Sequence, residues 1–234
     1  MTAEVCLTPA LINQFDLQGK NVVIIDIFRA TSCMVTGLCN EVTAIYPVAS
    51  VDECLAHGDQ GRIMAGERGG QKLEAFDIGN SPYDYLSETV HGREVAVTTT
   101  NGTLAIDKSR SANEIIIAAF LNLSATRDYL LELDGDIVLH CAGWKGSVNL
   151  EDTLFAGALL EALGDHIEIV GDAAQMALSL FQHHKGDLIG VARSSGHAQR
   201  LAKFGIVKDI DFCMTFDKYE GVILMDGDRL VKRS

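Results

Sequence analysis

Residues 22–25, Val-Val-Ile-Ile, are apolar at every position, and the next residue is an aspartate. A strand with one face in water alternates apolar and polar side chains. An unbroken apolar run of strand length therefore belongs between two covering layers. The rest of the chain supplies those layers. Strand-length apolar runs occur at 4–8, 21–28, 42–49, 62–65, 94–98, 114–119, 136–141, 166–171 and 209–216. Helical spacing of apolar residues occurs at 30–39, 52–59, 123–132, 150–163, 172–184 and 187–204. This alternation predicts a layered α/β/α fold with a mainly parallel or mixed sheet covered on both faces. The stretches VVIIDIFRATSCMVTGL and DIVLHCAGWKGSVNLEDTLFAGALL both read as strand, loop, helix, so two similar halves are one option. At 234 residues the chain fits one α/β unit spanning 1–234, with a subdivision near residue 120 as the alternative.

Charge narrows the partners. A formal net charge of −13 opposes nucleic-acid binding, because phosphate backbones require clustered Lys and Arg. An anionic substrate would need a locally basic site that overrides this global field. No apolar segment approaches the ~20 residues of a membrane span, and the N-terminus lacks a signal-peptide pattern. The six cysteines form no CxxC pair or disulfide framework, which suits a reducing compartment and a cytoplasmic location. Oligomeric state is not encoded legibly; a homodimer is one option.

In open α/β sheets ligands sit beyond the carboxyl ends of strands, and four polar, glycine-bearing segments fall there. In the first, Asp26 ends an apolar strand and Arg29 stands at a helix start, a natural anion site. The alternative is that the two residues pair and merely cap the helix. The haloacid-dehalogenase signature needs a second aspartate two residues on, and Phe28 stands there. The second segment is Gly66-Glu67-Arg68-Gly69-Gly70 followed by Phe76-Asp77-Ile78-Gly79-Asn80-Ser81-Pro82. Glu67, Asp77 and Asn80 offer oxygen ligands suited to Mg²⁺, and Arg68 offers a forked donor. Plain turn chemistry would also explain Gly-Asn-Ser-Pro. The third, Thr98-Thr99-Thr100-Asn101-Gly102-Thr103, can surround a tetrahedral anion with donors or simply cap a helix. The fourth, Cys141 through Gly146 and then Asn149-Leu150-Glu151-Asp152, brings Lys145 within reach of an anion. Glu151 and Asp152 also complement the dipole of the helix they start, and Cys141 reads as a core thiol. His183-His184 and His197 read as surface residues, since adjacent helical positions point apart and no third ligand is suitably spaced.

Together, IIDIFRAT, GERGG…FDIGNSP, TTTNGT and CAGWKG…LEDTLFAGALL resemble the 2-phosphosulfolactate phosphatase (ComB-like) family in order and spacing. The resemblance runs from about Asn21 to Leu163 and continues more loosely through RLAKFGIVKDIDFC. One departure is Glu74-Ala75 before FDIGNSP, where the family pattern has glycine. The resemblance implies a Mg²⁺-dependent phosphatase converting (R)-2-phospho-3-sulfolactate to (R)-3-sulfolactate and phosphate, a step of coenzyme M biosynthesis in methanogens. It also implies a fold distinct from the haloacid-dehalogenase phosphatases. Asp26, Arg29, Glu67 and Arg68 are then the expected catalytic residues. Asn80, Thr100, Asn101 and Lys145 are expected to bind substrate, and Asp26, Glu67, Glu151 and Asp152 to organise the metal. The partner is a small phosphorylated, sulfonated carboxylate. The alternatives are a phosphohydrolase for another small phosphorylated carboxylate, or a non-catalytic phosphate- or nucleotide-binding module. Neither a P-loop nor a dinucleotide fingerprint is present to support the last.

Overall fold

A computed structural model describes residues 1–233. The strands are β1 (Thr2–Cys6), β2 (Asn21–Ile25), β3 (Ala44–Pro47), β4 (Ile63–Arg68), β5 (Gln71–Lys72), β6 (Glu94–Thr98), β7 (Glu114–Ala118), β8 (Ile137–Cys141), β9 (Glu168–Ile169), β10 (Ile223–Asp226) and β11 (Arg229–Lys232). The helices are α1 (Ala30–Cys39), α2 (Val51–Gly58), α3 (Gly102–Lys108), α4 (Leu123–Glu132), α5 (Leu150–Leu163), α6 (Asp172–His184), α7 (Leu188–Ser194), α8 (Gly196–Ala202) and α9 (Lys208–Cys213).

All strands join one mixed sheet in the order β5-β4-β6-β3-β11-β10-β7-β2-β8-β1-β9. It is a layered α/β fold, as the apolar strand core requires. Every residue of β2 is buried, and β2 lies between β7 and β8 with Ile25 opposite Ala118 and Cys141. Strands from before and after residue 120 are thus immediate neighbours.

The sheet has two parallel blocks, β4-β6-β3 and β7-β2-β8-β1-β9. The antiparallel β10–β11 hairpin sits between them, pairing with β7 on one side and β3 on the other. Three antiparallel pairings in succession make the blocks run in opposite senses. Adjacent strands also rotate by about 20–25° per pair. Across the five pairings from β2 to β6 this turns the blocks through roughly a right angle. The carboxyl ends of β2 and β6 can then converge, which a flat sheet would forbid.

The local chemistry of the helices is readable. Ser50 and Glu53 form a reciprocal capping box that starts α2. Helix α5 is apolar almost all round because it is sandwiched between the sheet and α6. A Cβ on Gly157 would lie 2.0 Å from the Ala177 carbonyl, so glycine is what lets these two helices approach.

Three expectations need correction. The apolar run 209–216 contributes helix α9, not a strand, because its apolar residues Ile210 and Cys213 are three apart and face the core together. The single helix expected over 187–204 is two short helices, since Ser195 is extended and caps α8 through the Ala198 amide. The C-terminal hairpin β10–β11, unanticipated from the sequence, completes the centre of the sheet.

Candidate active site

Strand β2 stops at Ile25, and Asp26 begins the turn into α1. That turn is closed by its own groups: the Asp26 amide donates to Thr31 Oγ1 (3.0 Å), and the Thr31 amide donates to the Asp26 carbonyl (3.0 Å). The carboxylate accepts one long bond, from the Ala30 amide at 3.3 Å. Asp26 is only 6% exposed. Burial pushes its pKa up to about 6; His197 pulls it down, and Glu67 and Glu151 add to the rise.

Arg29 does not pair with Asp26. Its guanidinium forms a buried ion pair with Asp209 of α9, 180 residues away, and Nη2 reaches the Gly70 carbonyl at 3.4 Å. Through Arg29 the first loop holds both α9 and the second loop in place.

Glu67, near the end of β4, accepts three bonds: from the Thr100 amide (2.9 Å), the Thr100 hydroxyl (2.8 Å) and the Gly70 amide (2.6 Å). Burial alone would raise its pKa. The donated bonds and the neighbouring Arg68 outweigh it and hold the carboxyl below its ordinary value. Arg68 donates to the Glu67 carbonyl and to Thr98 Oγ1. Gly66 lies opposite Thr98 with φ +150°, and a Cβ there would sit 2.1 Å from the Thr98 carbonyl. No other residue fits that crossing.

The third loop starts α3 through a reciprocal exchange: the Thr103 amide donates to Thr99 Oγ1 and the Thr99 amide to Thr103 Oγ1. This leaves Asn101 free of capping duty, and its Oδ1 accepts from the Lys145 amide at 3.3 Å. Helix α3 begins hard against Asp26, because a Cβ on Gly102 would lie 2.8 Å from Asp26 Oδ2.

In the fourth loop, Asp152 accepts the Ile27 amide (2.9 Å) and the Gly143 amide (3.0 Å), tying the β2 and β8 ends together. Burial, then Glu151 and Asp26, push its carboxyl well above the usual range. Glu151 and Asp152 are both fully buried, so they do more than greet a helix dipole at the surface. Glu151 Oε1 lies 2.7 Å from His197 Nδ1, while Glu151 Oε2 is buried without a partner. Cys141 is a buried free thiol whose pKa burial drives upward, as a core cysteine should be.

These loops line a narrow cleft with about 20 Å³ of free volume, room for about one water molecule. Asp26, Arg29, Glu67, Asn80, Thr100 and Asn101 all line it. Arg68, Lys145, Glu151 and Asp152 lie off its lining. Lys145 is exposed with its ammonium over the Trp144 ring, 5.0 Å from the centroid. His197 corrects the surface reading given above: its side chain is 7% exposed and faces the cleft beside Phe28. Arg200 joins it from the same helix. Arg200 opens the stretch RLAKFGIVKDIDFC noted above but drew no role there, and neither residue's placement could be read locally, because their partners lie 46 and 131 residues away. His183 and His184 stand at the end of α6 and stack only on each other. A roomier hollow beside α4 is lined by Asp128, Glu132, Asp217 and Glu220, the wrong sign for an anion.

Among the described residues no group of three or more His, Cys, Asp or Glu forms a metal cage. Mg²⁺ does not require one: it commonly takes one or two carboxylates and completes its shell with water and substrate oxygens. The cleft suits that arrangement. One Asp26 oxygen is without a hydrogen bond, and Asn80 Oδ1 is buried and unpartnered.

A family model described as 2-phosphosulpholactate phosphatase matches residues 6–228. A probable 2-phosphosulfolactate phosphatase of Thermotoga petrophila is 41% identical over 217 residues, covering 92% of this chain and 94% of that protein. Its namesake in Caldanaerobacter subterraneus is 38% identical, with 89% of each chain covered. One from Clostridium botulinum is 32% identical over 99% of this chain and 100% of its own length. With four strand-end motifs drawn into one cleft and the family model spanning nearly the whole chain, the protein belongs to the 2-phosphosulfolactate phosphatase family, a family of phosphoric monoester hydrolases.

Proposed function

We propose that this protein is a Mg²⁺-dependent phosphatase that hydrolyses (R)-2-phospho-3-sulfolactate to (R)-3-sulfolactate and phosphate. The observation that carries the reading is the cleft itself, where Asp26 meets donors from three other strand-end loops. Phosphoryl transfer asks mainly for positioning and for charge stabilisation at the equatorial oxygens. Asn101 and His197 on the lining can donate to such oxygens, while the Thr100 hydroxyl donates to Glu67 and holds that loop in place. A substrate carrying phosphate, carboxylate and sulfonate brings about four negative charges near neutrality. Arg200 and Arg29 on the lining, with Arg68 and Lys145 nearby, offset part of that charge inside a protein of net −13.

Asp26 and Asn80 are the residues that would hold Mg²⁺, with Glu67 ordering the Thr100 loop beside them. The ion would supply positive charge against the phosphate oxygens. Asp26 has two roles open to its chemistry. It attacks phosphorus itself, forming an acyl-phosphate, or it orients a water for in-line displacement. The stereochemical course at an isotopically chiral phosphorus separates them, since two displacements through an acyl-phosphate retain configuration and direct attack by water inverts it.

The test is phosphate release from a panel of phosphorylated hydroxy-acids, with Mg²⁺ and with EDTA. The sulfolactate ester is expected to give the highest kcat/KM, and EDTA to abolish turnover. Absence of metal-dependent release from every ester would overturn the reading. Preference for a different phosphorylated carboxylate would keep the reaction class and change the substrate.

A further inference from the structure

The phosphate is one of three anionic groups on the proposed substrate, and one cationic side chain on the cleft has no acidic partner to spend its charge on. Arg200 stands three residues after His197 on α8, so both project from one helix face. Its guanidinium lies over the Trp144 indole, with Cζ 4.5 Å from the ring centroid. Nη1 donates to the Gly69 carbonyl at 3.3 Å. Nε is buried and has no hydrogen-bond partner. Among the ion pairs of the described residues none involves Arg200, whereas Arg29 is matched by Asp209.

These constraints leave one face of the fork for a ligand. The indole fixes the plane of the guanidinium, and Gly69 occupies Nη1. The Nε–Nη2 edge remains, two parallel N–H donors spaced for two oxygens of a single oxyanion. A buried donor without an acceptor is unfavourable until such a ligand arrives. The position suits a group other than the one transferred. Trp144, His197 and Arg200 line both the narrow cleft and an adjoining hollow bounded by Val148 and Ser195. Arg200 therefore stands where a ligand anchored at Asp26 would extend.

We propose that Arg200 is the specificity-determining residue of this site, its Nε–Nη2 edge clasping the carboxylate or sulfonate that remains on the substrate after phosphate leaves. The proposal rests on the phosphatase reading above. It adds that selectivity for a second anionic group comes from α8, outside the four motifs that carry the family resemblance.

The experiment compares the parent protein with Arg200→Ala and Arg200→Lys on four esters, with Mg²⁺ present. These are (R)-2-phospho-3-sulfolactate, 2-phospholactate (carboxylate only), 2-phosphooxypropane-1-sulfonate (sulfonate only) and isopropyl phosphate (neither). Loss of a charge-assisted bidentate contact predicts a fall of about ten- to a hundredfold in the kcat/KM ratio of the doubly anionic ester to isopropyl phosphate. Lysine, a point charge without the fork, restores only part of it. The single-anion ester whose ratio also falls identifies the group held. An unchanged ratio in Arg200→Ala, or full rescue by lysine, overturns the proposal. If the parent protein releases phosphate from no ester, the phosphatase reading fails separately. Calorimetric binding of 3-sulfolactate and of inorganic phosphate then decides for Arg200. A selective loss of sulfolactate affinity in Arg200→Ala upholds the assignment, and a parallel loss of both, or of neither, overturns it.

Discussion

Replacing Asp26 by asparagine should make the protein more stable, and more so at high pH. A buried carboxyl whose pKa is about 6 instead of the ordinary 3.8 is harder to ionise in the folded chain than in the unfolded one. At about 1.4 kcal/mol for each tenfold, the folded state forfeits about 3 kcal/mol once the group is fully ionised. The sign follows from which state ionises first. Below pH 3.8 Asp26 is neutral in both states and costs nothing. Between 3.8 and about 6 the unfolded chain ionises first, so stability falls as pH rises; above about 6 the penalty is complete. Asparagine has no charge to bury and keeps an acceptor for the Ala30 amide. Asp26→Asn should therefore gain about 3 kcal/mol at pH 8 and roughly half of that at pH 5. For a chain of this length that is a Tm increase of about 6–12 °C at pH 8. Thermal melts at both pH values, in EDTA so that no cation offsets the charge, read the effect directly. Phosphatase activity of the same variant should collapse, the usual trade between a strained site and its function. A variant no more stable than the parent at pH 8, or a gain that ignores pH, would refute the electrostatic account of Asp26.

Two further perturbations probe the supports of the cleft. Asp209→Ala leaves Arg29 buried without its counter-charge and should cost about 3–5 kcal/mol in denaturant unfolding; a loss below about 1 kcal/mol would mean that the pair is not a structural tie. Gly102→Ala places a methyl 2.6 Å from Ala30 Cβ and 2.8 Å from Asp26 Oδ2. It should lower kcat at least about tenfold and cost about 1–3 kcal/mol of stability, and full activity in that variant would remove the start of α3 from the site.

Much of the architecture was legible because it is written in local periodicity. The apolar run of β2 demanded two covering layers, and the polar turns after β2, β4, β6 and β8 announced where the chain leaves them. The misread segments have different causes. The 209–216 run is short and apolar, and such runs are ambiguous between strand and helix until their neighbours are known. The 187–204 stretch is helical as expected, and only its break at Ser195 went unread. Arg29 was read with two alternatives, active or paired to Asp26; it lines the cleft, and the carboxylate it pairs with is not Asp26 but Asp209.

By itself the sequence determined the layered fold, the four strand-end loops and Asp26 at the head of the first. Each depends on residues close in the chain, through side-chain alternation, turn composition and helix capping. Only the tertiary structure decided which of those residues share a cleft. It set Lys145 at the exposed rim and drew Glu151 and Asp152 behind the wall. It brought in His197, Arg200 and Asp209 from the last quarter of the chain. Those placements follow from β8 lying directly beside β2 and from short helices of the last quarter packed near the strand ends. Contacts formed over separations of 46 to 180 residues leave no periodic trace in the sequence.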